Sequence, residues 1–248
     1  MAFFAKIFTG KIKMIELIYP VVTGMFEQTN ERSHGSIGHP EMQTNLGMLY
    51  FKGEGVKKDY RKAFFCFQDA AELGSEKAML KLATMYHLGQ GTAQSYSLAI
   101  YWYEKAATLG NANAQFNLGV MHFTGQGVNR SRKAAASWFQ KSAESGFLEA
   151  QYNIGAMYFN GFGVERDYEQ AKQWLIKAAQ RHYDCAQFAM GVMYYYGFGG
   201  EQDYDLAGSW FQKASNHSFG GRWTAIKRME EMGVEFINRC PLRVNAAL

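Results

Sequence analysis

Cysteine, proline and unbalanced charge are all scarce in this sequence, and each shortage closes off a class of protein. The three cysteines, Cys66, Cys185 and Cys240, are odd in number and far apart. A disulfide framework needs pairs and a structural zinc site needs ligands at short spacing, so neither is expected. Three prolines in 248 residues leave room for uninterrupted helices. The net charge is +4, and between Gly38 and His217 the 17 basic residues nearly balance 16 acidic ones. Nucleic-acid binding calls for a basic stripe, so no nucleic-acid partner is expected. No run of about twenty apolar residues occurs, so no membrane-spanning helix is expected.

Catalytic signatures are missing as well. The sequence has no Gly-x-Ser-x-Gly elbow, no phosphate-binding Walker loop and no dinucleotide fingerprint. No two of its six histidines stand four apart, the spacing that places a metal pair on one helix face. His182 and Asp184 read as surface residues rather than as ligands. The expectation is therefore no enzyme, no metal and no small-molecule cofactor.

What the chain has is apolar material and repetition. It is 48% hydrophobic and 16% aromatic, enough to bury a core. Laid out from Gly38 with a period of 36, it aligns without insertion as five units, 38–73, 74–109, 110–145, 146–181 and 182–217. Position 16 is always Gly (53, 89, 125, 161, 197), as is position 18 (55, 91, 127, 163, 199). Position 26 is always Ala, and position 29 is Trp in four units and Cys66 in the first.

Each unit reads as two helices. Helix A spans about positions 3–15, with apolar or small residues at 5, 9, 12 and 13. Helix B starts after position 22, where Asp59, Ser95, Ser131, Asp167 and Asp203 are all good N-cap residues. Gly161 and its equivalents are expected to end helix A in a left-handed conformation, and Gly163 to turn the chain tightly before Val164 enters the core. Position 1, usually Gly, follows helix B, where a left-handed residue is also needed; unit 5 has His182 there.

The stretch "AQYNIGAMYFNGFGVERDYEQAKQWLIKAAQ" (150–180) resembles the Sel1-like repeat, a relative of the tetratricopeptide repeat. The resemblance covers residues 38–217. It implies an all-α protein, a right-handed α/α superhelical solenoid of five 36-residue repeats with helix A lining the concave side. It also implies a non-catalytic scaffold or adaptor that binds a protein or peptide. The alternative within the family is a bacterial immunity protein that blocks a toxic phospholipase-type effector; a hydrolase is a remote third. Cysteine-rich members linked to penicillin binding carry paired cysteines in each unit, which this chain lacks.

By analogy with tetratricopeptide geometry, positions 7, 14 and 15 belong to the concave face. The candidate partner-binding residues are Phe51, His87, Phe116, Phe123, Tyr152, Phe159, Phe188, Tyr195 and Tyr196. A continuous aromatic stripe beside a complete packing stripe reads as a binding groove, with packing on the neighbouring helix as the alternative, above all at position 7. Asn117 and Asn153, at position 8, lie beside it and are suited to hold a peptide backbone or to cap local turns. Phe159 in particular is expected to be surplus to the fold.

The ends read as caps. Residues 1–26 read as an N-terminal helical segment, a cap or a membrane-surface helix, with Phe4, Phe8, Ile12, Ile15 and Tyr19 expected on one face, and any membrane contact would run through residues 3–19. Residues 27–37 read as a linker, 218–235 as a capping helix with a charged outer side, and 236–248 as a tail. The expected location is cytoplasmic, with periplasmic or membrane-associated as alternatives.

Overall fold

The computed structural model describes residues 39–214. The expected terminal caps and linker, and the membrane contact through residues 3–19, lie outside that range. Among the described residues are ten helices and no strands: α1 (Pro40–Lys52), α2 (Tyr60–Glu72), α3 (Glu76–Leu88), α4 (Tyr96–Thr108), α5 (Ala112–Thr124), α6 (Arg132–Glu144), α7 (Leu148–Asn160), α8 (Tyr168–Gln180), α9 (Asp184–Tyr196) and α10 (Tyr204–Ala214). Odd-numbered helices are helix A of a unit and even-numbered ones helix B. The substantial helix–helix contacts run between consecutive helices, as in a solenoid where each unit touches only its neighbours.

Local chemistry sets the boundaries. The Asp59 and Asp167 carboxylates each accept two backbone N–H bonds in the first turn of helix B, at 2.9–3.0 Å. The Ser95 and Ser131 hydroxyls each accept one. Helix A ends at a left-handed glycine in every unit, with φ between 67° and 80°. Helix B is followed by left-handed Gly74, Gly110 and Gly146 in units 1 to 3, and in unit 4 by His182, whose φ of 61° keeps the same turn with a side chain attached. One backbone bond recurs across the A–B loop: the N–H at position 22 donates to the carbonyl at position 13, as from Asp167 to Tyr158 at 3.0 Å.

Within a unit, helix B drives a large side chain against helix A. Phe67, Tyr103, Phe139, Leu175 and Phe211, all at position 30, are almost wholly buried. They meet position 10, which is Gly in four units. A Cβ at Gly119 would lie 2.6 Å from the Phe139 ring, and one at Gly155 would lie 2.8 Å from Leu175. Unit 2 alone has Ala83 there, opposite Tyr103. The Trp at position 29 has a more exposed role. Trp138, Trp174 and Trp210 are half-buried and carry a lysine three residues on, with Nζ 3.9–4.5 Å above the ring.

Between units, three devices recur. The glycine at position 18 presses on the start of the preceding helix B: a Cβ at Gly199 would lie 2.6 Å from the Tyr168 carbonyl oxygen. Position 17, between the two glycines, stacks there too. Phe198 lies 4.8 Å from the Tyr168 ring, and the Arg132 guanidinium lies 4.3 Å above Phe162. The third device is a glutamine ladder. Gln115, Gln151 and Gln187, all buried, donate from Nε2 to the carbonyls of Ala107, Ala143 and Ala179 near the end of the preceding helix B.

Candidate functional site

The nine candidate residues separate by burial, and four of them correct the expected groove. Phe116, Tyr152, Phe159 and Phe188 are no more than 2% exposed. Phe116 sits 5.5 Å from Phe139 of its own unit and 5.0 Å from Phe147 of the next. Tyr152 meets Tyr183 of the next unit at 5.4 Å, and Phe188 meets Phe211 at 5.2 Å. Position 7 is therefore an inter-helix and inter-repeat packing position, and its rings in units 3 to 5 are covered by the fold itself. In units 1 and 2 the same junction is polar, a Thr44–Ser75 hydroxyl hydrogen bond of 3.0 Å. Where the junction turns aromatic, Phe147 and Tyr183 give up the side-chain N-cap that Ser75 and Asn111 provide.

In four of the five units the ring at position 14 packs on the ring at position 23. Phe51 packs edge-on against Tyr60 at 5.2 Å, His87 against Tyr96 at 5.5 Å, and Tyr195 against Tyr204 at 5.3 Å. Phe159 does the same with Tyr168 at 5.1 Å, and Phe198 of the next loop covers it at 5.2 Å. That extra cover buries it, so Phe159 belongs to the fold after all. Phe51, His87, Phe123 and Tyr195 stay half-buried and Tyr196 is 40% exposed. Asn117 and Asn153 are buried, and neither amide atom of Asn153 has a hydrogen-bond partner, so they do not line an open groove.

Among the candidate residues, the most accessible rings gather in unit 5. Tyr195 and Tyr196 lie 5.0 Å apart, Tyr196 lies 5.6 Å from Phe198, and Phe198 stacks on Tyr168. The outer members are exposed, Tyr196 by 40% and Tyr204 by 58%, on a foundation of half-buried rings. Tyr204 had not been singled out from sequence, because it sits at position 23, where most units have Tyr.

The shifted titratable groups all move toward their neutral forms. Burial, with Asp69 adding to it, pushes the Cys66 thiol up to about 12, far from a reactive thiolate. Burial likewise pushes the Tyr103 phenol up to about 12. It holds Lys81 and His87 below their ordinary values and Tyr86 above. These shifts come first from desolvation in a packed core, not from a paired acid and base. Among the described residues no three His, Cys, Asp or Glu side chains gather as a metal site, and no helix is long and apolar enough to cross a membrane.

These observations define an all-α repeat solenoid. The Sel1 repeat profile matches at residues 40–75, 76–111, 112–147, 148–183 and 186–219, and the chain belongs to the Sel1 repeat family. A Sel1 repeat protein from Oxalobacter formigenes is similar at 30% identity and a TM-score of 0.68, over 87% of this chain and 85% of that one. A protective antigen of uropathogenic Escherichia coli, with the same repeat fold, is similar at 32% identity and a TM-score of 0.75, over 80% of this chain. This chain covers only 43% of the length of that antigen. A Pseudomonas aeruginosa immunity protein is more distant, at 19% identity and a TM-score of 0.46, over 84% of this chain and 76% of that one. No curated protein matches the sequence. The Sel1 repeat fold is typical of protein–protein interaction scaffolds.

Proposed function

We propose that this protein is a non-catalytic scaffold that grips a protein or peptide partner at the aromatic cluster of its fourth and fifth repeats. The observation that supports this most directly is the pair of exposed rings, Tyr196 and Tyr204, held by Tyr195, Phe198 and Tyr168. Rigid aromatic side chains already held by neighbouring rings lose little freedom on binding, which is why such rings dominate interface energies. Half-buried Phe51, His87 and Phe123 occupy the equivalent of Tyr195 in earlier repeats and extend the surface along the array. No residue of the chain favours the immunity or hydrolase alternative over this one.

The test is affinity capture from the native cell with the full chain as bait, beside a Tyr196→Ala, Tyr204→Ala bait of equal thermal stability. A partner enriched by the first bait and lost from the second is the expected result. A partner retained equally by both baits puts the binding surface elsewhere.

A further inference from the structure

A second surface breaks the repeat code, on the opposite helices and at the other end of the array. Position 28 of helix B faces outward. It is polar in the last three units, Ser137, Gln173 and Ser209, but aromatic in the first two, Phe65 and Tyr101. Position 36 follows the same split: Leu73 and Leu109, then Ser145 and Arg181. Phe65 is 56% exposed, Leu73 54%, Tyr101 47%, Leu109 56%, and Leu98 of the same helix as Tyr101 42%. The later repeats fold with serine, glutamine or arginine at these places, so folding does not require apolar groups there. The rings are also held in place. Phe65 packs edge-on against Phe64 at 5.6 Å, and Tyr101 against Trp102 at 5.2 Å with the Lys105 ammonium over both.

The charges around Phe65 identify the occupant. Arg61 and Lys62 lie one turn before it on α2, and Asp69 and Glu72 one and two turns after it, all exposed on the same side. A two-fold axis through Phe65 turns α2 antiparallel to its copy. The basic end of each helix then meets the acidic end of the other, twice, around a central pair of rings. Such a surface is complementary to itself, the requirement for an isologous dimer. An anionic membrane does not fit, because Asp69, Glu72 and Glu104 share the face.

We propose that the outer face of the first two repeats, centred on Phe65 and Tyr101, is a homodimer interface formed with a second copy of this chain. Sedimentation equilibrium of the full chain tests it. The wild type should show a monomer–dimer equilibrium below about 100 µM. Phe65→Glu with Tyr101→Glu should weaken it at least about tenfold with unchanged helical content. Arg61→Glu with Lys62→Glu should weaken it too, and adding Asp69→Lys and Glu72→Lys to the same chain should restore it. A wild type that stays monomeric, an association untouched by the two ring substitutions, or a face that captures another protein while the chain remains monomeric overturns the proposal.

Discussion

Gly163 lies directly against the backbone carbonyl of Arg132, one repeat earlier, so closely that a methyl group on it has nowhere to go. Its φ of 76° alone disfavours any other residue, but the contact makes it an inter-repeat joint as well as a turn. Gly146 is a natural control, with a φ of 82° and nothing near its missing Cβ. Gly146→Ala should cost about 1 kcal/mol, from backbone strain alone. Gly163→Ala should cost about 3 kcal/mol or more, because repeats three and four must also move apart. Urea denaturation of the two variants separates the terms, and equal losses would rule out the joint.

The glutamine ladder has a built-in precedent for its own replacement. Unit 2 carries Met79 where Gln115, Gln151 and Gln187 stand, and Met79 is buried. Gln151→Met keeps the volume and removes an amide whose Oε1 has no partner, so it should change stability by less than about 1 kcal/mol. Gln151→Ala leaves the Ala143 carbonyl without its side-chain donor and opens a void, and should cost about 2 kcal/mol. Thermal melting of the pair reads the difference, and a methionine variant as unstable as the alanine one would contradict it.

His182 is the only non-glycine residue among the described ones with a positive φ. Glycine stands there in the three preceding repeats, so His182→Gly should relieve strain and raise stability by roughly 0.5–1 kcal/mol. A lower melting temperature would show that the histidine ring makes a contact worth more than the strain.

His87 gives the fold a pH dependence of known sign. Burial favours its neutral form, so its folded pKa lies below the ordinary 6.5. Above about pH 6.5 both folded and unfolded chains carry it neutral and its contribution is fully present. As pH falls below that value the unfolded chain binds the proton first, and stability is lost down to the folded pKa. His87→Phe, the residue that units 1, 3 and 4 use, should melt with a smaller drop between pH 7.5 and 5.5 than the wild type. Equal drops would place the titration elsewhere.

Much of the fold was legible because repetition multiplies weak signals. One Asp before an apolar stretch is a poor helix marker, but five Ser or Asp residues at a 36-residue period fix the start of every helix B. The left-handed glycines were legible for the same reason. Burial of the aromatic stripe was not. Positions 7 and 14 look like a groove when one repeat is considered alone, and only stacking shows that Phe147, Tyr183 and Phe198 of the following repeat cover Phe116, Tyr152 and Phe159. The surface signal lay in the opposite kind of comparison. Phe65 and Tyr101 stand out not because a position repeats but because it stops repeating after the second unit.

The proposed function divides rings that hold the solenoid together from rings proposed to meet a partner. Parallel measurement of unfolding free energy and partner affinity for Phe159→Ala and Tyr196→Ala tests it most directly. Phe159→Ala should lose about 3–5 kcal/mol of stability. Tyr196→Ala should lose about 1 kcal/mol or less, yet bind the captured partner at least about tenfold more weakly. A Phe159→Ala protein as stable as the wild type but unable to bind would contradict the account and return the groove to the aromatic stripe.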